Sequence, residues 1–99
     1  MSDPTTTSQA VDHCGLILFV AGDAPRSRRA RANLAAALDA AGRERQPREI
    51  DVLADPGAAL RFGMFATPAL VRPDPAGGAP AVLYGDLSDR ARLERFLAE

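Results

Sequence analysis

The chain has 99 residues, the usual size of a single domain with one hydrophobic core. Apolar residues make up 46% of the sequence, but 20 of them are alanine, so few bulky side chains remain to fill that core. The formal net charge of −1 does not favour nucleic acid or an acidic membrane as a partner. No run approaches the roughly 20 apolar residues of a membrane helix. The single cysteine excludes an internal disulfide and a multi-cysteine zinc site.

Residues 1–13 are polar and show no periodicity, which predicts a flexible N-terminal arm ahead of a domain spanning residues 14–99. The arm has no charged start followed by an apolar stretch, so we expect no signal peptide and a cytoplasmic protein. The apolar run from Leu16 to Val20 then predicts a central strand that is buried on both faces.

A helix is predicted directly after this strand. Gly22 and Asp23 end the strand, and Pro25 suits the first helical turn, with Asp23 as the expected N-cap. Gly42 is a suitable residue for the C-terminal end of the helix. Apolar residues recur at helical spacing between these ends, and they are Ala30, Leu34, Ala37, Leu38 and Ala41.

The second half of the chain predicts shorter elements. Residues 49–53 alternate like a strand, and Asp55-Pro56 opens a helical turn over residues 57–61, with Phe65 as its furthest end. Residues 69–71 and 81–84 predict two strands joined by a loop rich in proline and glycine. A final helix, capped by Asp86 or Ser88, is predicted from an apolar stripe of Leu93, Phe96 and Leu97.

This order of elements, a βαβ unit followed by a helix, a hairpin and a closing helix, is that of a thioredoxin-like α/β sandwich. The βαβ crossover predicts that the first two strands are parallel. Thr67-Pro68 stands directly before the third strand, where thioredoxin-like folds usually have a cis proline.

The residues offer little chemistry for catalysis. A thioredoxin or glutaredoxin has a reactive cysteine at the start of its first helix, where the helix dipole lowers the thiol pKa, but residues 22–27 contain none. Ser27 would replace that cysteine only together with a glutathione-binding remainder that this chain lacks. Cys14 and the sole histidine, His13, lie in or beside the arm, where they complete neither a metal site nor a catalytic triad. We therefore expect no enzyme, no cofactor and no metal.

Four motifs occur in order over roughly residues 16–97. The first is the entry to the first helix, and the others are a strand with its turn, the segment around Thr67-Pro68 and the segment before the last helix. They read Val20-Ala21-Gly22 with Pro25, Ser27, Arg29 and Ala30; Ile50-Asp51-Val52-Leu53 with Pro56; Ala66-Thr67-Pro68 with Leu70; and Gly85-Asp86-Leu87-Ser88-Asp89-Arg90. Together they resemble the KaiB family, small partners of the circadian ATPase KaiC.

The resemblance implies a non-enzymatic module that docks on a KaiC-type ATPase and modulates its phosphorylation and ATPase cycle. It also implies two alternative folds, a thioredoxin-like one that binds KaiC and a rearranged tetrameric one with the order βαββααβ. The resemblance further implies that two segments take part in fold switching and helix capping. Their residues are Thr67, Pro68, Gly85, Asp86, Leu87, Ser88 and Asp89. Because the prolines and glycines of residues 73–80 would break a helix placed there, we expect the thioredoxin-like state to be favoured.

Four arginines, namely Arg26, Arg28, Arg29 and Arg31, crowd the first two turns of the first helix, where the helix dipole favours negative charge. This basic face is either simply solvated or complementary to an acidic patch on a partner. Arg29 and Arg72 match basic positions of the KaiB family, and Asp51 and Leu53 belong to its second motif. The predicted partner-binding residues are Arg26, Arg29, Asp51, Leu53 and Arg72.

Other interpretations remain open. One is a degenerate thioredoxin-like adaptor, or a thiol- or glutathione-binding protein, that holds a thiol peptide at Thr67-Pro68. Another is a sensory domain of the kind found in front of clock-associated histidine kinases, which would require a kinase domain in the same chain. A clock-associated histidine kinase is also a second candidate partner. A homo-oligomer, either a dimer or a tetramer, is also compatible with the resemblance.

Overall fold

The computed structural model describes residues 15–42, 47–63 and 66–98. The elements, in chain order, are β1 (Ile17–Val20), α1 (Pro25–Ala40), β2 (Arg48–Asp51), α2 (Pro56–Phe62), β3 (Ala69–Arg72), β4 (Ala81–Tyr84) and α3 (Arg90–Ala98). This is the predicted thioredoxin-like order and not the rearranged βαββααβ order. His13 and Cys14, and the furthest predicted end of the second helix at Phe65, lie outside the described residues.

The four strands form one mixed sheet with the order β2-β1-β3-β4. β1 is parallel to β2, as the βαβ crossover predicts, and antiparallel to β3, while β3 and β4 form an antiparallel hairpin. Phe19 of β1 stands opposite Ile50 on one side and Ala69 on the other. β1 is therefore a central strand, and all four of its residues are buried, as the continuous apolar run predicts.

The alternation of side chains along β1 feeds two cores on opposite faces of the sheet. Leu18 and Val20 pack in the larger core, which lies under α1 and α3. Ile17 and Phe19 pack in the smaller core, which α2 covers through Ala58. The larger core contains Leu16, Ala30, Leu34, Ala37, Leu38, Leu70, Leu83, Leu87, Leu93, Phe96 and Leu97 as well. One strand thus holds both layers of the molecule together.

α1 begins without the predicted side-chain cap. The N-cap residue is Ala24, and no side chain accepts a hydrogen bond there, so the prediction of Asp23 as the cap is wrong. The Asp23 carboxylate instead lies 3.6 Å from Nη1 of Arg31. Pro25 still suits this start, because its missing N–H is one that no helical carbonyl would accept.

The apolar stripe of α1 is confirmed except at its end. Ala30, Leu34, Ala37 and Leu38 are buried, but Ala41 follows the last helical residue and is exposed. Gly42, with φ of +72°, then turns the chain away from the helix axis. α1, with 16 residues, is the longest described helix, and none of the described helices is both long and apolar enough to span a bilayer.

The strand predicted over residues 49–53 is displaced toward the N-terminus. β2 ends at Asp51, and Leu53 lies beyond it in a turn with 72% of its surface exposed. Asp55 then caps α2, because its side chain accepts a hydrogen bond from the Ala58 N–H at 3.2 Å. α2 ends at Gly63, whose φ of +65° suits a residue without a Cβ.

The last helix has a different cap from either one predicted. The Asp89 carboxylate accepts a hydrogen bond from the Arg92 N–H at 3.1 Å, which is the contact of an N-cap with the third helical residue. Oδ1 of Asp86 accepts from the Ser88 N–H instead, at 3.1 Å, and so shapes the preceding turn. Leu93, Phe96 and Leu97 are buried, so the predicted stripe is confirmed.

Leu87 has a backbone conformation that leucine rarely adopts. Its φ is +63°, in the left-handed region, and its side chain is only 5% exposed within the larger core. The left-handed conformation costs roughly 1–2 kcal/mol for a residue with a Cβ. Full burial of a leucine contributes about 1.5–3 kcal/mol. The packing of Leu87 therefore offsets the strain of the turn that precedes α3.

This balance predicts an inverted ranking of substitutions at Leu87. Leu87→Ala removes most of the buried side chain but keeps the strain, so we expect it to lower the free energy of unfolding by about 2–5 kcal/mol. Leu87→Gly relieves the strain as well, and we expect it to be no more destabilising than Leu87→Ala. Urea unfolding followed by circular dichroism measures both values.

The matched control is Leu83, which is similarly buried in β4 and has no positive φ. There we expect the usual ranking, in which the glycine variant is less stable than the alanine variant by about 0.5–1 kcal/mol. The same ranking at both positions would contradict the strain that we assign to Leu87.

Candidate protein-binding surface

Asp51 joins the ends of the two parallel strands. Its Oδ1 accepts hydrogen bonds from the Gly22 N–H at 3.0 Å and from the Leu53 N–H at 2.9 Å. The hydrogen bond from the Leu53 N–H is the main cause, and the one from the Gly22 N–H the second, that holds the pKa of the Asp51 carboxyl below its ordinary value of 3.8. Gly22 has a φ of +55°, a left-handed conformation that favours glycine, so the turn also depends on a glycine. Asp51 therefore positions Leu53, whose side chain is exposed.

Arg31 is paired with acidic residues of its own chain. Its Nε donates to Oε1 of Glu49 at 3.0 Å, and its Nη2 donates to the Gly22 carbonyl at 3.0 Å. The hydrogen bond to Glu49 is the main cause that raises the pKa of Arg31 above its ordinary value. Part of the unfavourable charge at the start of α1 is thus offset by an acidic residue of β2 and not by a partner.

Asp86 ties the segment before α3 to the face of α1. Its Oδ2 accepts a hydrogen bond from Nε of Arg29 at 3.1 Å, and its carbonyl accepts from Nδ2 of Asn33 at 2.9 Å. Arg29 and Asn33 are one helical turn apart, so both reach the same segment. Hydrogen bonds from Ser88 and Arg29 lower the pKa of the Asp86 carboxyl. We call Arg29, Asn33 and Asp86 the Asp86 junction.

Arg26 and Arg28 are the exposed remainder of the basic cluster. Neither forms an ion pair with any residue in the described ranges. Arg26 lines a hollow of about 140 Å³ beside Tyr84 and the segment from Gly85 to Asp89. The basic face is therefore divided, because Arg29 and Arg31 have acidic partners in the chain and Arg26 and Arg28 point into solvent.

Arg72 lies at the other end of the sheet. In the antiparallel hairpin it stands opposite Ala81, whereas Ala69 stands opposite Tyr84 beside the segment before α3. Nη1 of Arg72 donates to the Phe96 carbonyl at 2.6 Å, and its guanidinium lies 4.6 Å from the centre of the Phe96 ring. A cation near the last carbonyls of a helix is stabilising. Arg72 therefore fastens the end of α3 to β3.

The remaining candidates for chemistry are occupied by structural contacts. Ser27 is 1% exposed, and its hydroxyl accepts a hydrogen bond from the Ala21 N–H at 3.0 Å, so it cannot meet a thiol ligand. The Thr67–Pro68 peptide bond is cis, and the Pro68 carbonyl accepts from the Gly85 N–H at 3.0 Å. No group of three potential metal ligands occurs within residues 15–42, 47–63 and 66–98.

The structure brings four of the five predicted partner-binding residues to one end of the molecule. Arg26 and Arg29 begin α1, directly after the turn at Gly22, and Asp51 and Leu53 contact that turn from the other side. Arg26, Arg29, Asp51 and Leu53 are called the β1–α1 surface below. Arg72 is not part of it.

Asn33 makes a structural contact, its hydrogen bond to the Asp86 carbonyl, that the sequence pattern does not indicate. It lies in the alanine-rich middle of α1, where an isolated polar residue is usually solvent-facing. Its spacing of four residues from Arg29 is the signal that it shares a face with the basic cluster.

Comparison with known proteins agrees with this architecture. The crystal structure of oxidised mitochondrial thioredoxin 3 from Saccharomyces cerevisiae superposes with a TM-score of 0.67 and 19% sequence identity, over 99% of this chain and 91% of that one. The search of curated proteins returns no match. The fold is thus that of a thioredoxin-like protein, here without a cysteine at the start of α1.

The family follows from the sequence itself. The family model described as KaiB domain matches residues 17–98, which is nearly the whole chain. The protein therefore belongs to the KaiB family, and the resemblance found in its motifs is confirmed. KaiB proteins are non-catalytic clock proteins, so this membership suggests a function related to the circadian clock and to interaction with other clock proteins.

The two lowered carboxyl pKa values predict a loss of stability in acid. A carboxyl whose pKa is lower in the folded state stabilises that state above its unfolded pKa, and this contribution is lost as the pH falls through the folded pKa. We therefore expect the urea midpoint to fall between about pH 5 and pH 2. Asp51→Asn and Asp86→Asn should each flatten this dependence.

Carbon-13 titration of the side-chain carboxyl signals measures the two pKa values directly. Values at or above the ordinary carboxyl range for Asp51 and Asp86 would contradict the hydrogen bonds that we assign to them.

Proposed function

We propose that this protein is a non-enzymatic module that docks on a KaiC-type ATPase and modulates its phosphorylation and ATPase cycle. The observation that carries the proposal is the KaiB-domain match over residues 17–98, combined with a thioredoxin-like arrangement of the chain. In the KaiB family this arrangement is the one that binds KaiC. A cytoplasmic location, and a clock-associated histidine kinase as a further partner, belong to the same proposal.

The docking surface in this proposal is the β1–α1 surface. Leu53 supplies an apolar side chain that is 72% exposed beside the turn at Gly22. Arg26 supplies a cation without a described acidic partner, and Arg29 supplies one that is 55% exposed although it is paired with Asp86. Arginine is enriched at protein interfaces, and its charge complements an acidic partner.

Asp51 and Arg72 have indirect roles in this proposal. Asp51 directs Leu53 outward through two hydrogen bonds to backbone N–H groups. Arg72 holds the end of α3 through Phe96, away from the β1–α1 surface. We therefore expect substitutions at these two residues to affect docking through stability.

We further propose that the protein stays in the thioredoxin-like state. The loop of residues 73–80 contains three prolines and two glycines, which oppose a helix in that part of a rearranged fold. The Asp86 junction also stabilises the segment before α3 in its present position. Light scattering of the protein alone should accordingly give the monomer mass of 10.4 kDa. A tetramer mass would contradict this state but leave the docking proposal standing.

The docking proposal predicts a complex that depends on Arg29 and Leu53. We expect the protein to co-elute with a KaiC-type ATPase in the presence of ATP during size-exclusion chromatography with light scattering. Arg29→Glu should weaken the complex at least about tenfold, because it replaces an attraction by a repulsion. Leu53→Ala should weaken it because it removes the apolar anchor.

Three controls separate docking from folding. Arg48→Glu reverses an exposed charge at the far end of β2, and Leu60→Ala truncates an exposed leucine on α2, so neither should weaken the complex. Asp86→Asn weakens the Asp86 junction but keeps the Arg29 cation, and it should retain docking. A complex lost in Asp86→Asn but kept in Arg29→Glu would assign docking to segment 85–89. No complex with any nucleotide would reject a KaiC-type partner.

A further inference from the structure

The two edges of the sheet differ in charge. Edge strands present unpaired N–H and C=O groups, and proteins usually protect them with charged residues or proline. β2, at one edge, contains Arg48, Glu49 and Asp51 among its four residues. β4, at the other edge, reads Ala81-Val82-Leu83-Tyr84 and contains neither a charge nor a proline. The β4 edge is therefore the unprotected one.

The ladder between β3 and β4 shows which backbone groups face outward. The Gly85 N–H donates to the Pro68 carbonyl, and the register pairs Leu83 with Leu70 and Val82 with Val71. In an antiparallel pair, hydrogen-bonded and non-hydrogen-bonded residues alternate, so the N–H and C=O groups of Val82 and Tyr84 point away from β3. Within the described part of the chain no strand pairs with this side of β4.

Two arginines of α3 flank the same edge. Arg92 and Arg95 line an open groove of about 400 Å³ together with Ala81, Val82, Leu83 and Phe96, and no acidic residue among those that the structure describes lines it. Neither arginine forms an ion pair with a residue that the structure describes. They are three positions apart on α3, so their Cβ atoms lie on one helix face about 5–6 Å from each other. That spacing is close to the roughly 6.6 Å between alternate residues of a strand.

We propose that the β4 edge binds an extended acidic segment of a partner protein, which adds a fifth strand to the sheet. The backbone of the segment pairs with Val82 and Tyr84, and acidic side chains at alternate positions meet Arg92 and Arg95. The acidic positions lie beside residues 81–83, because Asp86 and Asp89 line the neighbouring hollow, which Arg92 also borders. This surface adjoins the β1–α1 surface, because Arg26, Tyr84 and Arg92 line one hollow.

The charges favour such a segment over two other occupants. Pairing of β4 with β4 of a second copy would bring Arg92 and Arg95 of both chains to one seam, and like charges oppose that arrangement. A nucleic acid would satisfy the arginines but has no peptide backbone to pair with the strand edge. An acidic polypeptide satisfies both the arginines and the edge.

The test uses a capped synthetic peptide of alternating glutamate and valine as the probe, with a lysine–valine peptide of the same length as its control. When the full-length, nitrogen-15-labelled protein is titrated, the acidic peptide should bind saturably and the lysine–valine peptide should not bind. The amides of Val82 and Tyr84 should shift and become protected from hydrogen exchange. The double variant Arg92→Glu/Arg95→Glu should weaken binding at least about tenfold, because it reverses both contacts.

Val82→Pro tests the backbone contact separately. Proline at Val82 removes an N–H that points away from β3, so the variant should keep the fold and lose the peptide. Arg48→Glu, on the opposite edge, should bind the peptide normally. A folded Val82→Pro variant that still binds would overturn strand addition, and the double arginine variant tests the proposal even if Val82→Pro does not fold.

Three further results would overturn the proposal. Absence of binding up to about 1 mM peptide, weaker than an ordinary specific interaction, would reject the surface. Equal binding of the lysine–valine peptide, or of oligothymidylate, would reject an acidic polypeptide as the preferred partner. Protection of the Val82 and Tyr84 amides without any peptide, together with a dimer mass, would show that a second copy covers this edge.

Discussion

The structure depends on the burial of β1 on both faces and along both edges. Its backbone pairs with β2 on one side and β3 on the other, and its side chains alternate between the two cores. A strand with this position needs apolar side chains at every residue, and β1 supplies isoleucine, leucine, phenylalanine and valine in succession. The turn at Gly22 follows the end of β1 directly. The position of β1 therefore determines where α1 begins and where Asp51 and Leu53 lie. A lean, alanine-rich core can define a single fold because its few large side chains are concentrated there and in α1 and α3.

Those parts of the fold that rest on local pattern could be predicted from the sequence. The apolar run of β1, the helical spacing of Leu34 and Leu38, and the Pro- and Gly-rich loop before β4 each indicate their element without reference to the rest of the chain. The caps were predicted less well, because several residues near a helix start can each accept a hydrogen bond. α1 begins without a side-chain cap, so Asp23 does not cap it. The Asp86 carboxylate accepts hydrogen bonds from Arg29 and Ser88, and Asp89 caps α3 instead.

The charges at the start of α1 show why a candidate site is harder to predict than a fold. Four arginines in two turns oppose the helix dipole, and the sequence alone leaves open whether solvent, a partner or the chain itself compensates them. The chain compensates Arg29 with Asp86, 57 residues away, and Arg31 with Glu49, 18 residues away. No periodicity connects residues at such distances, because only the folded sheet brings them together. The structure thereby narrows the exposed basic surface to Arg26 and Arg28, with Arg29 shared between a contact inside the chain and the solvent.

The same compensation separates a stabilising role from a binding role for charged residues in this protein. Arg31 and Arg72 each hold two elements together through donors directed at acceptors in the chain. Arg29 combines such a contact with a side chain that is 55% exposed. Arg26, Arg92 and Arg95 line hollows beside β4 and have no ion pair among the described residues. Exposed ion pairs contribute little to stability, so an arginine that stays unpaired costs the fold little and keeps its charge for another molecule. Because the uncharged edge of the sheet lies beside these arginines, the part of the molecule that its own contacts leave open is the face of β4 and α3.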